Sequence, residues 1–510
     1  MPPLYIAVKH GLVRRTMLSN YYRYRLYEVL PGLSIWLTLF ITVLFSFIKP
    51  LWMIYFILIF DVYWVLRVAY FSFYLFLSWR RFRKAIVVDW FARLNAQCPG
   101  WEKRKNVVFL PVYNEEWEVV EQTLESFLKS SFPAQKIYLV LAGEARKMEH
   151  WQQIQALTKE KYQGKFADII FSTHPIDLEG EIPGKGSNIH FAEWEFKKYA
   201  DAKGWDYIDI IASVFDIDTI VHPEYFAHLS YLYNKHPRPD HSSFQPLTLY
   251  NNNLWQSPAI IRIMAFGTSF WMLFSLARLD SLITFSSHSM SFKAIMDCGG
   301  HSKDIVSEDS RIFYQCWLRY NGDYEVTPLY IPVSMDTVRD DSLWQSLKNL
   351  YFQQRRWAWG TEHIPYLLWQ FRLNKQIKWT KKVAMLFHEW EGKWSWAVVA
   401  ILITLIGRLP LWVAGDQVRQ SALFFNAPNI LEILMTLAML GLLVSAVMSM
   451  LILPSRPGGH PRHNYIFMIM QWALLPISLI FFSSLPCLDA VTHLMFGKYL
   501  GFNVSVKKRV

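Results

Sequence analysis

The apolar residues of this chain are spread so unevenly that their placement alone dictates an architecture. Long uncharged runs stand near both ends, and between them charged residues, turns and short apolar stretches alternate. About 20 apolar residues suffice to cross a bilayer, so the pattern predicts a water-facing domain hung on membrane helices. Residues 32–48 carry no charge and are closed by Lys49-Pro50; residues 51–79 follow and contain Asp61 and Arg67, which are costly in lipid unless they face other helices, as a polar path or a buried pair. Residues 394–413 and 430–453 make two further candidates, and 465–485 a fifth, broken by Pro476 and followed by Pro486. Composition agrees, since 53% hydrophobic residues are too many for an ordinary soluble enzyme and 18% charged residues too many for membrane helices alone. Four to six helices are expected.

Basic residues beside spans accumulate on the cytoplasmic side. Lys9, Arg14, Arg15, Arg23 and Arg25 precede the first run, Arg80-Arg81-Phe82-Arg83-Lys84 ends the second, and Arg456 and Arg462 follow the fourth. The N-terminus and the central domain are therefore expected inside a cell membrane, with the loop holding Asp416 and Arg419 outside. Lys507-Lys508-Arg509 conflicts with a simple fifth crossing, so residues 465–500 are expected to form a re-entrant or interfacial hairpin hinged at the prolines. Three parts result: 1–90 with two membrane helices, 91–375 as the cytoplasmic domain with interfacial helices, and 376–510 with the remaining membrane helices. The N-terminus lacks the short apolar core and cleavage site of a secretory signal. Cys98, Cys298, Cys316 and Cys487 show neither metal spacing nor a disulfide framework and are expected to be reduced packing residues. The formal charge of +11 lies mostly beside apolar spans, which suits membrane lipids as partners rather than nucleic acid.

In the central part, strand-like runs at 107–110, 137–141, 168–171 and 208–215 alternate with helix-like segments, which implies a largely parallel sheet with ligands beyond the carboxyl ends of its strands. The last run ends in Asp216-Ile217-Asp218. Alternate residues of an extended chain point the same way, so both carboxylates can converge on magnesium or manganese, although Asp-x-Asp also occurs by chance in loops. Ser307-Glu308-Asp309 opens a helix, where a carboxylate commonly caps but can also take a proton from a hydroxyl. Gln353-Gln354-Arg355-Arg356-Trp357 lies in an aromatic segment, 343–371, that suits a helix in the membrane interface; its arginines can clamp a diphosphate and its tryptophan can stack on a sugar. Residues 245–280 are expected near an acceptor site or the membrane surface, with the apolar stretch 263–276 too short to span.

Together these elements resemble the membrane-embedded family 2 glycosyltransferases, the group that includes cellulose and hyaluronan synthases. The matches run in that family's order: Pro111-Val112-Tyr113-Asn114-Glu115, Gly184-Lys185-Gly186-Ser187-Asn188, Asp216-x-Asp218, Glu308-Asp309 and Gln353-x-x-Arg356-Trp357. The resemblance implies an α/β GT-A domain, Rossmann-like with a mostly parallel sheet. It implies donor-nucleotide contacts at Tyr113 and Glu115, a phosphate or nucleotide contact at Lys185, and a metal and diphosphate site at Asp216 and Asp218. Asp309, or Glu308 beside it, becomes the general base, and Gln353, Arg356 and Trp357 border the diphosphate and the acceptor. Where the family has aspartates after its second strand, this chain reads Leu141-Ala142-Gly143-Glu144, so either Glu144 is the carboxylate that holds the nucleobase or the nucleobase is recognised differently. No appended regulatory domain is seen, so control by a soluble messenger is not expected. The implied activity is inverting transfer from a nucleotide sugar, UDP-linked before GDP-linked, with Mg2+ or Mn2+, to a growing polysaccharide with possible export. The alternatives are transfer of single sugars to a lipid acceptor and, lower, a non-catalytic scaffold.

Overall fold

The computed structural model describes residues 15–458 and 461–501; Lys9, Arg14, Lys507, Lys508 and Arg509 lie outside the described residues. Its centre is an eight-stranded sheet of β1 (Lys105–Pro111), β2 (Ile137–Glu144), β3 (Asp168–His174), β4 (Ile210–Val214), β5 (Ile220–Val221), β6 (Ser242–Tyr250), β7 (His288–Ser291) and β8 (Glu325–Met335), in the order β3-β2-β1-β4-β7-β6-β8-β5. The first four strands are mutually parallel, with Phe109 opposite Val140 on one side and Val214 on the other. β7 runs antiparallel between β4 and β6, β6 pairs parallel with β8, and β5 antiparallel with β8. This is a mixed α/β arrangement, parallel through the first four strands as expected and antiparallel where β7 enters.

β1 is a continuous apolar run because both faces of the sheet are covered. Val107 and Phe109 enter one core cluster, with Val140 and Ala142, while Val108 and Leu110 enter the other, with Leu139 and Leu141. This period of two is what a strand imposes. At the carboxyl end of β2, a Cβ on Gly143 would lie 2.1 Å from the buried Trp151 ring, so only glycine lets that indole cross the strand.

The helices that bear on the site and the membrane are α1 (Arg15–Ile48), α2 (Pro50–Ala85), α3 (Lys185–Ala202), α4 (Ala259–Leu276), α5 (Glu308–Arg319), α6 (Leu343–Ala358), α7 (Trp379–Ile401) and α8 (Ala422–Ile452). Among the described residues, six helical stretches are long and apolar enough to cross a membrane: Ser19–Ile48, Pro50–Ala85, Ala259–Leu276, Trp379–Val413, Ala422–Ile452 and Asn464–Met495. Asp61 is buried, but it and Arg67 do not pair; Arg67 instead reaches Glu391 of α7 at 3.1 Å.

Two sequence expectations change. The stretch at 263–276 was expected to be too short to span, but its helix begins at Ala259, and α4 with 18 residues matches the apolar thickness of a bilayer. It packs against β6 and α2. The hairpin expected over 465–500 is not formed, because Asn464–Met495 is helical throughout. A 3-10 turn at Gln471–Leu474 and a π turn at Ile480–Ser484 precede Pro476 and Pro486, each of which sits in the first turn of the next helical segment. There a missing N–H costs little, so the run stays helical through both prolines. Both ends of the run still reach the α/β part, with Tyr465 5.4 Å from Trp255 and, just past its end, Tyr499 6.5 Å from Trp359, ring to ring.

Gly143→Ala is expected to destabilise the protein by about 1–3 kcal/mol through overpacking against Trp151. Thermal unfolding of the purified protein should show a lower midpoint for this variant.

Candidate active site

The candidate residues gather at the carboxyl ends of β1, β2 and β4. Lys185 is the first residue of α3, and its own motif fixes the helix: the Asn188 amide donates to the Ala142 carbonyl of β2 at 2.7 Å, and the Ser187 hydroxyl donates to the Gly184 carbonyl at 3.0 Å within the first turn. Gly186 is required by close approach, since a Cβ there would meet the Ser302 carbonyl at 2.8 Å and the Glu308 Cβ at 3.2 Å. The Lys185 ammonium thereby reaches Asp216 at 2.7 Å, Asp309 at 2.8 Å and Glu308 at 3.5 Å. Burial opposes its charge, but the three carboxylates outweigh that and hold its pKa well above the ordinary lysine value.

The three carboxylates are not equivalent. The Glu308 side chain is 3% exposed, against 22% for Asp309 and 27% for Asp216, so Asp309 and Asp216 face the cleft and Glu308 lies behind it. Burial, then the neighbouring Asp309 charge, push Glu308 up to about 7, against the opposing pull of Lys185. Asp309 and Glu308 open α5, where the helix dipole favours negative charge.

Asp216 and Asp218 do not lie on an extended chain as the Asp-x-Asp spacing suggested. The strand stops at Val214, and the Thr219 N–H donates to the Asp216 carbonyl at 3.0 Å, closing a tight turn, so strand alternation does not set the direction of the two side chains. Asp216 Oδ2 accepts from Ser286 at 2.9 Å, and the buried Asp218 accepts from the Asp336 N–H at 2.8 Å. No group of three or more His, Cys, Asp or Glu placed to hold a metal occurs among the described residues. The partly exposed Asp216, with the buried Asp218 two residues on, nevertheless fits magnesium or manganese, which commonly take one or two carboxylates together with phosphate oxygens.

At the end of β1, Glu115 folds back to accept from the backbone N–H groups of Tyr113 and Asn114 at 2.8 and 3.1 Å. Glu144 is buried at the end of β2 and accepts from Arg146 Nε at 2.8 Å; the Arg146 guanidinium lies 5.3 Å from the Tyr113 ring centre. These three residues form one cluster that includes Arg146, which sequence reading had passed over. Trp357 stands 5.7 Å from the partly buried Tyr250 ring, and the Arg356 charge acts on both Tyr250 and Glu308. Gln353 is buried in α6. Arg355 turns away, pairing with Asp489 of the C-terminal run at 3.1 Å, so only one arginine of this segment faces the carboxylates.

A buried chain that sequence reading did not find supports the acidic pair. The Phe285 carbonyl can only accept, so His288 Nδ1 donates to it at 2.9 Å and His288 Nε2 is left to accept from His301 Nε2 at 3.3 Å. His301 Nδ1 meets Glu193 at 2.5 Å, a pairing with a buried carboxylate that favours the protonated ring. Burial opposes that charge, yet Glu193 raises the His301 pKa above its ordinary value, while burial and then His301 push His288 well below. The chain ends on a loop whose Thr284 hydroxyl donates to the Asp309 carbonyl at 2.6 Å and whose Ser286 donates to Asp216. No periodicity marks these residues, because their pairing crosses 108 positions of sequence.

No family model and no curated protein matches the chain. Among solved structures it is similar to mannosyltransferase PcManGT from Pyrobaculum calidifontis in complex with GDP-Man and Mn2+, at 12% identity and a TM-score of 0.41, over 84% of this chain and 100% of that one. It is also similar to S. aureus TarS 1-349 in complex with UDP-GlcNAc, at 14% identity and a TM-score of 0.35, over 70% of this chain and 98% of that one. Likenesses this distant establish no shared activity, and the functional reading rests on the chain's own residues.

Because His301 has a raised pKa in the folded state, its pair with Glu193 contributes stability that is complete below the ordinary histidine value and is lost as pH rises through the folded value. The thermal midpoint is therefore expected to fall from about pH 6.5 upward, and Glu193→Gln should lower the midpoint at acid pH and flatten this slope.

Proposed function

We propose that this chain is a membrane-embedded, inverting family 2 glycosyltransferase that moves a sugar from a nucleotide-sugar donor to a growing polysaccharide. The observation that carries the reading is the convergence of Asp216, Glu308 and Asp309 on one buried lysine at the carboxyl ends of parallel strands, with Asp218 on the adjoining turn. The solvent-facing carboxylate of Asp309 takes the proton of an acceptor hydroxyl, which attacks the anomeric carbon as the nucleoside diphosphate leaves. The transition state has oxocarbenium character, and no covalent enzyme intermediate is required. Lys185 balances charge between the base and the diphosphate, and Arg356 adds a second cation from the acceptor side. Asp216 and Asp218 would hold Mg2+ or Mn2+, which when bound neutralises the leaving diphosphate.

The cluster of Tyr113, Glu115 and Glu144 is the proposed nucleotide side, for a UDP-sugar before a GDP-sugar, and Gln353 and Trp357 are the proposed acceptor side. The flanking apolar helices support a location in the cell membrane, and the basic residues beside the spans support a cytoplasmic α/β domain. The Gln-x-x-Arg-Trp segment favours a polymer acceptor over a single lipid.

The test is release of nucleoside diphosphate by protein in nanodiscs, across a panel of nucleotide sugars with Mg2+ or Mn2+. Turnover with one donor is expected, lowered about 100-fold or more in Asp309→Asn and lost on chelation. Product length then separates polymer from glycolipid. Silence with every donor in folded protein would refute the reading.

A further inference from the structure

The helix that carries Glu308 and Asp309 is gripped by two residues that neither the motifs nor the cleft identify. Ser307, the residue before α5, does not cap the helix with its side chain; its hydroxyl donates instead to Glu362 Oε1 at 2.6 Å, while Trp359 Nε1 donates to Glu362 Oε2 at 2.9 Å. Arg311 Nε meets His363 Nδ1 at 3.1 Å, and Ser310 Oγ meets His363 Nε2 at 2.7 Å. A guanidinium only donates, so His363 Nδ1 must accept. Nε2 therefore carries the proton and donates to Ser310, whose own hydroxyl is left to reach the Ser307 carbonyl at 3.2 Å. The ring is buried, and burial, then the Arg311 and Lys393 charges, hold its pKa well below the ordinary histidine value, which agrees with a neutral ring of fixed tautomer. Arg311 is clamped from the other side by the Tyr366 ring, 3.9 Å from its guanidinium carbon.

Residues 307, 310 and 311 flank the acidic pair, and Glu362 and His363 follow the Gln353 to Trp357 segment by a single turn of chain. We propose that Glu362 and His363 are positioning residues that lock the first turn of α5, and so the Asp309 carboxylate, to the element that borders the acceptor. Their hydrogen bonds run to Ser307, Ser310 and Arg311 beside the acidic pair, so they act on the reaction through where Asp309 stands. The inference rests on the transferase reading for the role of Asp309, but the clamp itself is a property of the fold.

Two substitutions of His363 test it in the full-length protein in nanodiscs. His363→Phe keeps the ring volume and removes both hydrogen bonds; His363→Gln offers an acceptor and a donor at nearly the same separation. Each is compared with wild type in steady-state kinetics and in amide hydrogen exchange of peptides covering 303–313 and, as a fold control, 105–144. With His363→Phe, kcat should fall about tenfold or more while donor KM stays within about twofold, and exchange in 303–313 should rise with 105–144 unchanged. His363→Gln should restore most of both. Unchanged kcat and unchanged exchange in His363→Phe would overturn the proposal, as would a loss spread equally over kcat, donor binding and the control peptides, or failure of His363→Gln to rescue. If wild type turns over no donor, the transferase reading fails and the exchange data alone decide whether the clamp exists.

Discussion

One buried ammonium group organises this site. Asp216, Glu308 and Asp309 bring three carboxylates to within a few ångströms of each other, two of them adjacent at a helix start and one behind a strand end. Like charges so close and so poorly hydrated would repel, and Lys185 is what allows them to coexist. Its own position is not adjustable, because it begins a helix that Asn188 fastens to β2 and whose second residue, Gly186, presses on the chain before α5. The electrostatics of the cleft thus depend on how α3 packs against the sheet.

The apolar helices are part of the same construction. α6 divides its polar residues between two neighbours: Arg355 holds the C-terminal helical run through Asp489, while Trp357 approaches Tyr250 above the carboxylates. Arg25 of α1 donates to the Met495 carbonyl at 2.9 Å, and Tyr499 donates to Glu28, so α1 is tied to the end of the C-terminal helical run. A displacement of the helices relative to one another would be felt at α6 and, through Glu362 and His363, at the start of α5.

Local features were legible in the sequence because their signals are local. The apolar run at 107–110 and the alternation of strand and helix around it reported burial on both faces of a sheet, and the uncharged runs reported the helices that now present large apolar side chains on their outer surfaces. Asp216 and Glu308-Asp309 were found at the end of a strand and the start of a helix, where turn and cap residues announce themselves. The reading went astray wherever direction depended on geometry just past an element: Asp216-Ile217-Asp218 turns instead of extending, and the prolines at 476 and 486 sit in first turns, where they do not reverse the chain.

By itself, the sequence determined the long apolar runs near both ends, the four parallel strands β1 to β4, and the acidic residues that stand near strand and helix ends, because each of these follows from the burial period and capping chemistry of neighbours along the chain. Only the tertiary structure decided that Lys185 joins Asp216 to Asp309, that Arg67 pairs with Glu391, that Glu193 charges His301 and that Glu362 and His363 grip α5. Each of those pairings spans tens to hundreds of residues. Hydrophobic periodicity says that a side chain is buried, but which charge it meets there is set by strand order and helix packing, which no local pattern encodes.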